Sequence, residues 1–232
     1  MEKGEVMIQY AKNKEKIDRR RKKESEDVNK QLGDEIENAK RSQQSLLPPR
    51  RFYYKNTLFV SEYIPCGSLS GDFYDIYQID EDNIGMYVLD VSGHGISAAL
   101  MTMFCNNYVK STERLIKRYR GLKPHRNIQH FYDEFNKMSF PDEMHMVIFF
   151  ASYNVKTRLL KYSNGGLKNF PILFKKDGQI KSLDQNIGFP ICKMSDIYIP
   201  EYESTHIQLA VGDRAIFFTA GLIDESKNNI MT

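Results

Sequence analysis

The densest chemistry in this sequence lies between Pro65 and Gly95, PCGSLSGDFYDIYQIDEDNIGMYVLDVSGHG. Two aspartates stand out. Asp72 follows Gly71 at a turn into a strand. Asp90 ends a second strand and leads into Ser92-Gly93-His94-Gly95, then into a helix that opens on the small residues Ala98 and Ala99. A carboxylate at a strand end is rigidly held and points toward the mouth of a sheet. Glycines beside it let backbone carbonyls and waters approach. A single such aspartate would serve as a helix N-cap or an Asx turn. Two converging ones supply the oxygen ligands that a hard divalent cation, Mg²⁺ or Mn²⁺, takes alongside retained waters. The residues around the pair are Gly71, Ser92, Gly93, His94 and Gly95, with Ser92 and Gly93 shaping the turn. The other histidines, His125, His130, His145 and His206, show no ligand spacing, so His94 belongs to the loop rather than to a zinc site. No GxSxG and no Cys/His constellation offers a protein nucleophile.

The surrounding pattern must position these residues. Tyr53 to Tyr63 reads as one strand. Ile76–Ile79 and Gly85–Val91 read as a hairpin around Asp80–Asn83. Ile96 to about Arg118 reads as a helix with a basic last turn, and Asn127 to Met138 as a second. Strands resume at Met144–Asn154, Leu159–Ser163, Ile172–Lys175, Ile207–Leu209 and Ala215–Thr219, with a turn at Gly178. Strand pairs, then two helices, then more hairpins make an α+β pattern. Two packed antiparallel sheets flanked by helices accommodate it.

Residues 1–48 have a different texture. From residue 2 to about 46 there is no proline, and Lys, Glu, Gln, Asn and Arg dominate, which favours a helix. Sparse apolar residues (Tyr10, Ile17, Val28, Leu32, Ile36, Ala39, Leu46) are separated mainly by gaps of 3, 4 and 7, making one narrow stripe. Such a stripe suits a two-helix seam, most simply a parallel coiled coil between two copies. Pro48-Pro49 stops the helix, so the expected division is a charged helical linker over 1–48 and a folded domain over 49–232.

Composition narrows the function classes. The net charge is +3, but residues 1–51 carry 14 Lys/Arg against 10 Asp/Glu, so the remainder is slightly acidic. The basic run Arg19–Lys23 is followed at once by Glu24, Glu26 and Asp27, which suits a solvated helix better than a nucleic-acid surface. The 3 cysteines, Cys66, Cys105 and Cys192, are far apart and form no disulfide framework or thiolate zinc site. No stretch approaches the ~18 apolar residues of a membrane span, and no signal-peptide core opens the chain. The expected setting is the cytoplasm.

GDFYD and DVSGHG, separated by a hairpin, resemble the signature of the SpoIIE/RsbU-type branch of the metal-dependent (PPM, type 2C-like) serine/threonine protein phosphatases. The approach AKRSQQSLLP, Phe135-Asn136, the turn Gly188-Phe189-Pro190-Ile191, Gly212-Asp213-Arg214, and the run Thr219-Ala220-Gly221-Leu222-Ile223-Asp224-Glu225 are similar to later segments of that family, in order, over roughly residues 39–228. The resemblance implies a two-ion site in which Asp90 bridges both ions, Asp72 binds one and the Val91 backbone carbonyl the other. A water activated between the ions would attack phosphorus in line. It also implies phosphoserine or phosphothreonine substrates on small anti-sigma-factor antagonists. Control would come through a homodimer whose N-terminal helices repack against the domain.

Three departures stand against that pattern. Ala220 occupies the position where the family's late motif carries a metal-binding aspartate, and a methyl group cannot ligate a cation. The chain stops at Thr232, before the family's last acidic strand. Asn164–Pro171 stands where the family has a histidine-containing turn, with Gly166 or Leu167 at the histidine position. Ser70 replacing a glycine is milder. Two readings follow: a phosphatase with a weakened metal site, or a pseudophosphatase that keeps the fold as a phosphoprotein-binding or dimerisation module.

Overall fold

The computed structural model describes residues 2–65, 67–119 and 123–223. Cys66, Asp224, Glu225 and the end of the chain lie outside them. The chain divides into two compact units, Met1–Gln44 and Ser45–Thr232.

The first unit is one helix, α1 (Glu2–Gln44). Most of its surface is charged or polar, and it gains support from pairs one turn apart, Glu15–Arg19 at 2.5 Å and Glu37–Lys40 at 3.5 Å, each worth a few tenths of a kcal/mol. Tyr10, Ile17, Val28 and Leu32 of the apolar stripe are exposed.

The second unit runs β1 (Arg51–Tyr54), β2 (Thr57–Val60), β3 (Asp72–Gln78), β4 (Asn83–Val91), α2 (Ile96–Tyr119), α3 (Pro124–Lys137), β5 (Met146–Asn154), β6 (Leu159–Gly165), β7 (Ile172–Phe174), β8 (Ile180–Ser182), β9 (Thr205–Gln208) and β10 (Arg214–Ile216). Five strands form an antiparallel sheet in the order β3-β4-β5-β6-β9, and three form a second in the order β10-β7-β8. The central strands β4 and β5 are buried along nearly their whole length, which explains their continuous apolar character.

Each face of the large sheet has its own core. On one face, Phe73, Tyr87, Leu89 and Val91 pack with Met101 and Cys105 of α2 and Ile128, Phe131 and Phe135 of α3. The α3 residues recur at i, i+3 and i+7, the stripe of an amphipathic helix. On the other face, Met86, Val88, Phe149 and Tyr162 meet Leu173 of the smaller sheet and Leu183 and Phe217, which directly follow its β8 and β10. The layers are therefore helices, large sheet and small sheet: the α+β arrangement of packed antiparallel sheets flanked by helices.

Two strand assignments differ from the sequence reading. The stretch read as one strand from Tyr53 is the β1–β2 hairpin, turning at Lys55-Asn56 with Lys55 left-handed at φ 50°. No glycine or proline marks that turn. It is held by the Phe52–Phe59 ring stack across the strands at 5.1 Å and by Lys55 against Asp82 at 2.6 Å. Strand β8 was not expected, because Ile180, Lys181 and Ser182 are all exposed and show no alternation. The turn at Gly178, by contrast, is where the sequence places it, with φ +88°.

Two glycine contacts hold the segments that follow β6. An added Cβ on Gly188 would run into the Asn164 carbonyl oxygen, and one on Gly166 would stand 2.8 Å from the Pro190 ring. The Asn164 side chain closes the turn by accepting from the Leu167 N–H at 2.7 Å and donating to its carbonyl at 2.8 Å. Leu167, which follows Gly166 in this turn, is buried in the core between the sheets. Asn136 then pins the chain onto α3: its amide donates to the Cys192 carbonyl, and its oxygen accepts from the Met194 and Ser195 N–H groups.

Candidate functional site

The site begins with the register of one hairpin. Asp72 and Asp90 are direct partners across β3 and β4, so their side chains share a face. Their neighbours Phe73, Leu89 and Val91 point into the helix-side core. By the two-residue period of a strand, the two carboxylates face the layer of the smaller sheet. Gly71 makes the close approach possible. Val91 N–H donates to the Gly71 carbonyl at 3.0 Å, and a Cβ on residue 71 would meet the Val91 carbonyl oxygen at 2.7 Å and the Ala98 Cβ at 3.3 Å. The Val91 carbonyl, the start of β3 and the start of α2 thus meet at a point where only glycine fits.

The electrostatics of the pair are those of two carboxyls forced together. Burial, the Asp72 charge and a hydrogen bond with Asp72 raise Asp90 to about 6, with His145 pulling the other way. Burial also raises Asp72, opposed by hydrogen bonds with Thr219 and Asp90. Two like charges in hydrogen-bond contact cannot both ionise cheaply without a proton or a cation between them.

The late segment reaches this pair from far along the chain. Thr219 Oγ1 donates to Asp72 Oδ2 at 3.0 Å, and a Cβ on Gly221 would stand 3.7 Å from the same oxygen. Ala220 is therefore flanked on both sides by residues against Asp72. Its own methyl group has no oxygen to offer a cation. Among the described residues, no group of three or more His, Cys, Asp or Glu side chains converges on a metal-ligand geometry. What remains, two paired carboxylates and a backbone carbonyl that a Cβ would displace, fits a hard cation that keeps most of its waters, as Mg²⁺ does.

The loop after β4 turns sharply. Gly93 and Gly95 are left-handed, at φ +85° and +78°, a conformation that favours glycine. Ser92 is held in place by donating its N–H to the His145 carbonyl at 2.8 Å, while its Oγ accepts from the His145 N–H at 3.0 Å. His94 is exposed on this loop. On the other side, Ser70 Oγ accepts from the Asp72 N–H at 3.1 Å. The structure thus gathers Gly71, Asp72, Asp90, Val91, Ser92 and the residues flanking Ala220 into one place. It adds Thr219 and His145. The threonine was visible only as part of a motif. The histidine carried no signal, because its neighbour Ser92 lies 53 residues away.

Comparison with known proteins bears on the same region. Residues 80–231 match the family model Stage II sporulation protein E (SpoIIE), a span that takes in Asp90 and the late segment and begins after Asp72. The chain is 29% identical over 169 residues to phosphoserine phosphatase RsbP of Bacillus subtilis (strain 168), covering 71% of this chain and 39% of that protein. It is 23% identical over 197 residues to phosphoserine phosphatase RsbU of the same strain, covering 85% and 56%. The chain therefore spans between two-fifths and just over half the length of these relatives. Among solved structures, the SiaA-PP2C domain of Pseudomonas aeruginosa superposes with TM-score 0.64 at 19% identity, over 81% of this chain and 71% of that one. The PP2C phosphatase domain of SpoIIE from Bacillus subtilis, solved with a fragment of its regulatory domain, gives TM-score 0.53 at 19% identity, over 68% and 44%. At such identities the structural likeness establishes the fold. Two packed antiparallel sheets, two helices on the outer face and a family match over more than half of its length make the chain a member of the Stage II sporulation protein E family, with a SpoIIE/RsbU-type, type 2C-like serine/threonine phosphatase domain.

Proposed function

We propose that this chain is a metal-dependent phosphatase that removes phosphate from phosphoserine or phosphothreonine on a regulatory protein of the anti-sigma-factor-antagonist kind. The observation that carries this reading is the facing pair Asp72 and Asp90, with the Val91 carbonyl beside them. These three groups would hold Mn²⁺ or Mg²⁺. A cation bound there supplies charge neutralisation at the phosphoryl oxygens and a water of lowered pKa. The chain's own groups do the positioning. Thr219 holds one oxygen of Asp72. Ser70 fixes the Asp72 backbone. The left-handed glycines at 93 and 95 turn the loop sharply just beyond the carboxylates. No side-chain nucleophile is required.

In this reading residues 49–232 are the phosphatase domain and residues 1–48 a helical linker. The exposed stripe Tyr10, Ile17, Val28 and Leu32 supports pairing with a second copy through a coiled coil. No helix among the described residues is long and apolar enough to cross a membrane, and a cytoplasmic setting completes the proposal.

Ala220 favours a second reading, a pseudophosphatase that captures a phosphoprotein without turnover. The two are separated by measuring Mn²⁺-dependent hydrolysis of p-nitrophenyl phosphate and of a phosphoserine peptide. The enzyme reading expects turnover by the chain and none by Asp90→Asn. A chain that binds the phosphopeptide equally well with Asp90→Asn, and never turns it over, is the pseudophosphatase.

A further inference from the structure

His145 immediately precedes β5, the strand that flanks the carboxylate pair on the side away from Asp72. In the β4–β5 register Asp90 faces Val147 and Val91 faces Met146. One step further on, Ser92 and His145 exchange two hydrogen bonds through the backbone of both residues and the Ser92 hydroxyl. These bonds carry the β4–β5 pairing one residue beyond β5, and His145 lies two residues from Val147, the register partner of Asp90, on the parity that shares its face. The ring is near enough for its charge to act on the Asp90 carboxylate, yet it joins no metal-ligand cluster among the described residues. It is exposed, and its Nδ1 lies 3.2 Å from the Glu143 carbonyl. With that nitrogen donating to the carbonyl, the ring is oriented and Nε2 is the nitrogen left for an incoming group. A doubly protonated imidazole donates from both nitrogens.

We propose that His145 is a substrate-contacting residue, its Nε2 donating to an oxygen of the phosphoryl group held at the Asp72–Asp90 pair. This rests on the phosphatase reading for the chemistry, but the contact itself is one with a phosphate dianion. His145 performs no bond-breaking step. It adds a hydrogen-bond donor on the β5 side of the site, opposite the side that Thr219 and Gly221 occupy. The backbone bonds to Ser92 belong to the peptide and the serine, so they survive replacement of the ring. That separates recognition from scaffolding.

The test uses the full chain with Mn²⁺, as His145→Ala and His145→Gln, with His206→Ala, on the exposed face of β9, as control. Two quantities are read: KM and kcat for p-nitrophenyl phosphate, and the dissociation constant of inorganic phosphate by calorimetry. A hydrogen bond to a charged group corresponds to about tenfold or more in affinity. His145→Ala should raise both KM and the phosphate dissociation constant by about that factor, with kcat and melting temperature held. A contact made equally in ground and transition states has that signature. His145→Gln, which keeps an N–H donor, should recover part of the loss. The proposal is overturned if His145→Ala binds phosphate as tightly as the unaltered chain. It is overturned equally if Ala and Gln lower the melting temperature alike while phosphate affinity stays put. Should the unaltered chain show no turnover at all, the phosphatase reading fails by itself and the phosphate titration alone decides. Binding lost in His145→Ala upholds the contact, and binding unchanged or absent throughout removes it.

Discussion

Replacing Gly71 with alanine tests the geometry on which the candidate site depends. Gly71 is not among the glycines with positive φ, so alanine can adopt its backbone conformation, and the loss of unfolded-state freedom should by itself stabilise the chain by about 0.4–1 kcal/mol. Packing opposes this. The new Cβ would lie 2.7 Å from the Val91 carbonyl oxygen, against 3.4 Å for ordinary contact, and 3.3 Å from both the Ala98 Cβ and the Gly93 carbonyl. The nearest neighbour is backbone, and Val91 N–H is already tied to the Gly71 carbonyl at 3.0 Å, so it cannot swing aside as a flexible side chain would. Overpacking costs about 1–3 kcal/mol, and a 2.7 Å clash with backbone belongs in the upper half of that range, leaving a net loss of about 1–2 kcal/mol after the entropic gain. For a domain of this size that is a fall in melting temperature of about 2–8 °C. The displaced group is also a proposed cation ligand, so the midpoint of a Mn²⁺ titration followed by thermal shift should rise. Gly33→Ala gives the opposite sign. It lies inside α1 with nothing within 4 Å, and alanine there should raise helix stability by about 0.5–1 kcal/mol. A Gly71→Ala chain that melts no lower than the original and titrates Mn²⁺ identically would refute the close-approach argument.

Further expectations follow from other parts of the molecule. Ala220→Asp places a third carboxylate beside Asp72. It should lower the melting temperature without cation and raise both Mn²⁺ affinity and hydrolysis with it, and equal behaviour with and without Mn²⁺ would show that position 220 does not face the pair. The Asp213 side chain is shielded from solvent, which disfavours its charge. The Ala210 N–H, the Lys175 ammonium at 2.7 Å and the Lys176 N–H outweigh this and hold it at about 2, below its ordinary 3.8. Because the folded value is depressed, this contribution to stability is present above about pH 4 and is lost as pH falls through about 2. Asp213→Asn should therefore flatten the melting temperature across that acid window, and Asp213→Ala, which leaves Lys175 only the Gln208 carbonyl, should cost about 1–3 kcal/mol in urea unfolding. Ile17→Asp with Leu32→Asp should convert a sedimenting dimer to monomer without changing hydrolysis of a small aryl phosphate if α1 is the pairing surface.

Local structure was legible wherever it depended on local chemistry. The β3–β4 hairpin was marked by its turn residues, and Asp80 Oδ1 does accept from the N–H groups of Asp82 and Asn83 at 2.9 and 2.8 Å. The helices followed from runs of small and periodic apolar residues, the break after α1 from Pro48-Pro49, and the α+β class from element order. Once the hairpin was known, the pairing of Asp72 with Asp90 followed from counting along its two strands. The sequence could not show what distant segments bring. Thr219 stands against Asp72 from 147 residues away, and His145 reaches the site only because β5 pairs with β4 in one register. The Lys55 turn and β8 were silent for a related reason. A left-handed lysine and three exposed residues are stabilised by partners across the sheet, and no periodicity of their own announces them. Spacing along the chain encodes the contacts a segment makes with itself, whereas the carbonyl of Val91, the methyl of Ala220 and the ring of His145 acquire their meaning from neighbours that only folding supplies.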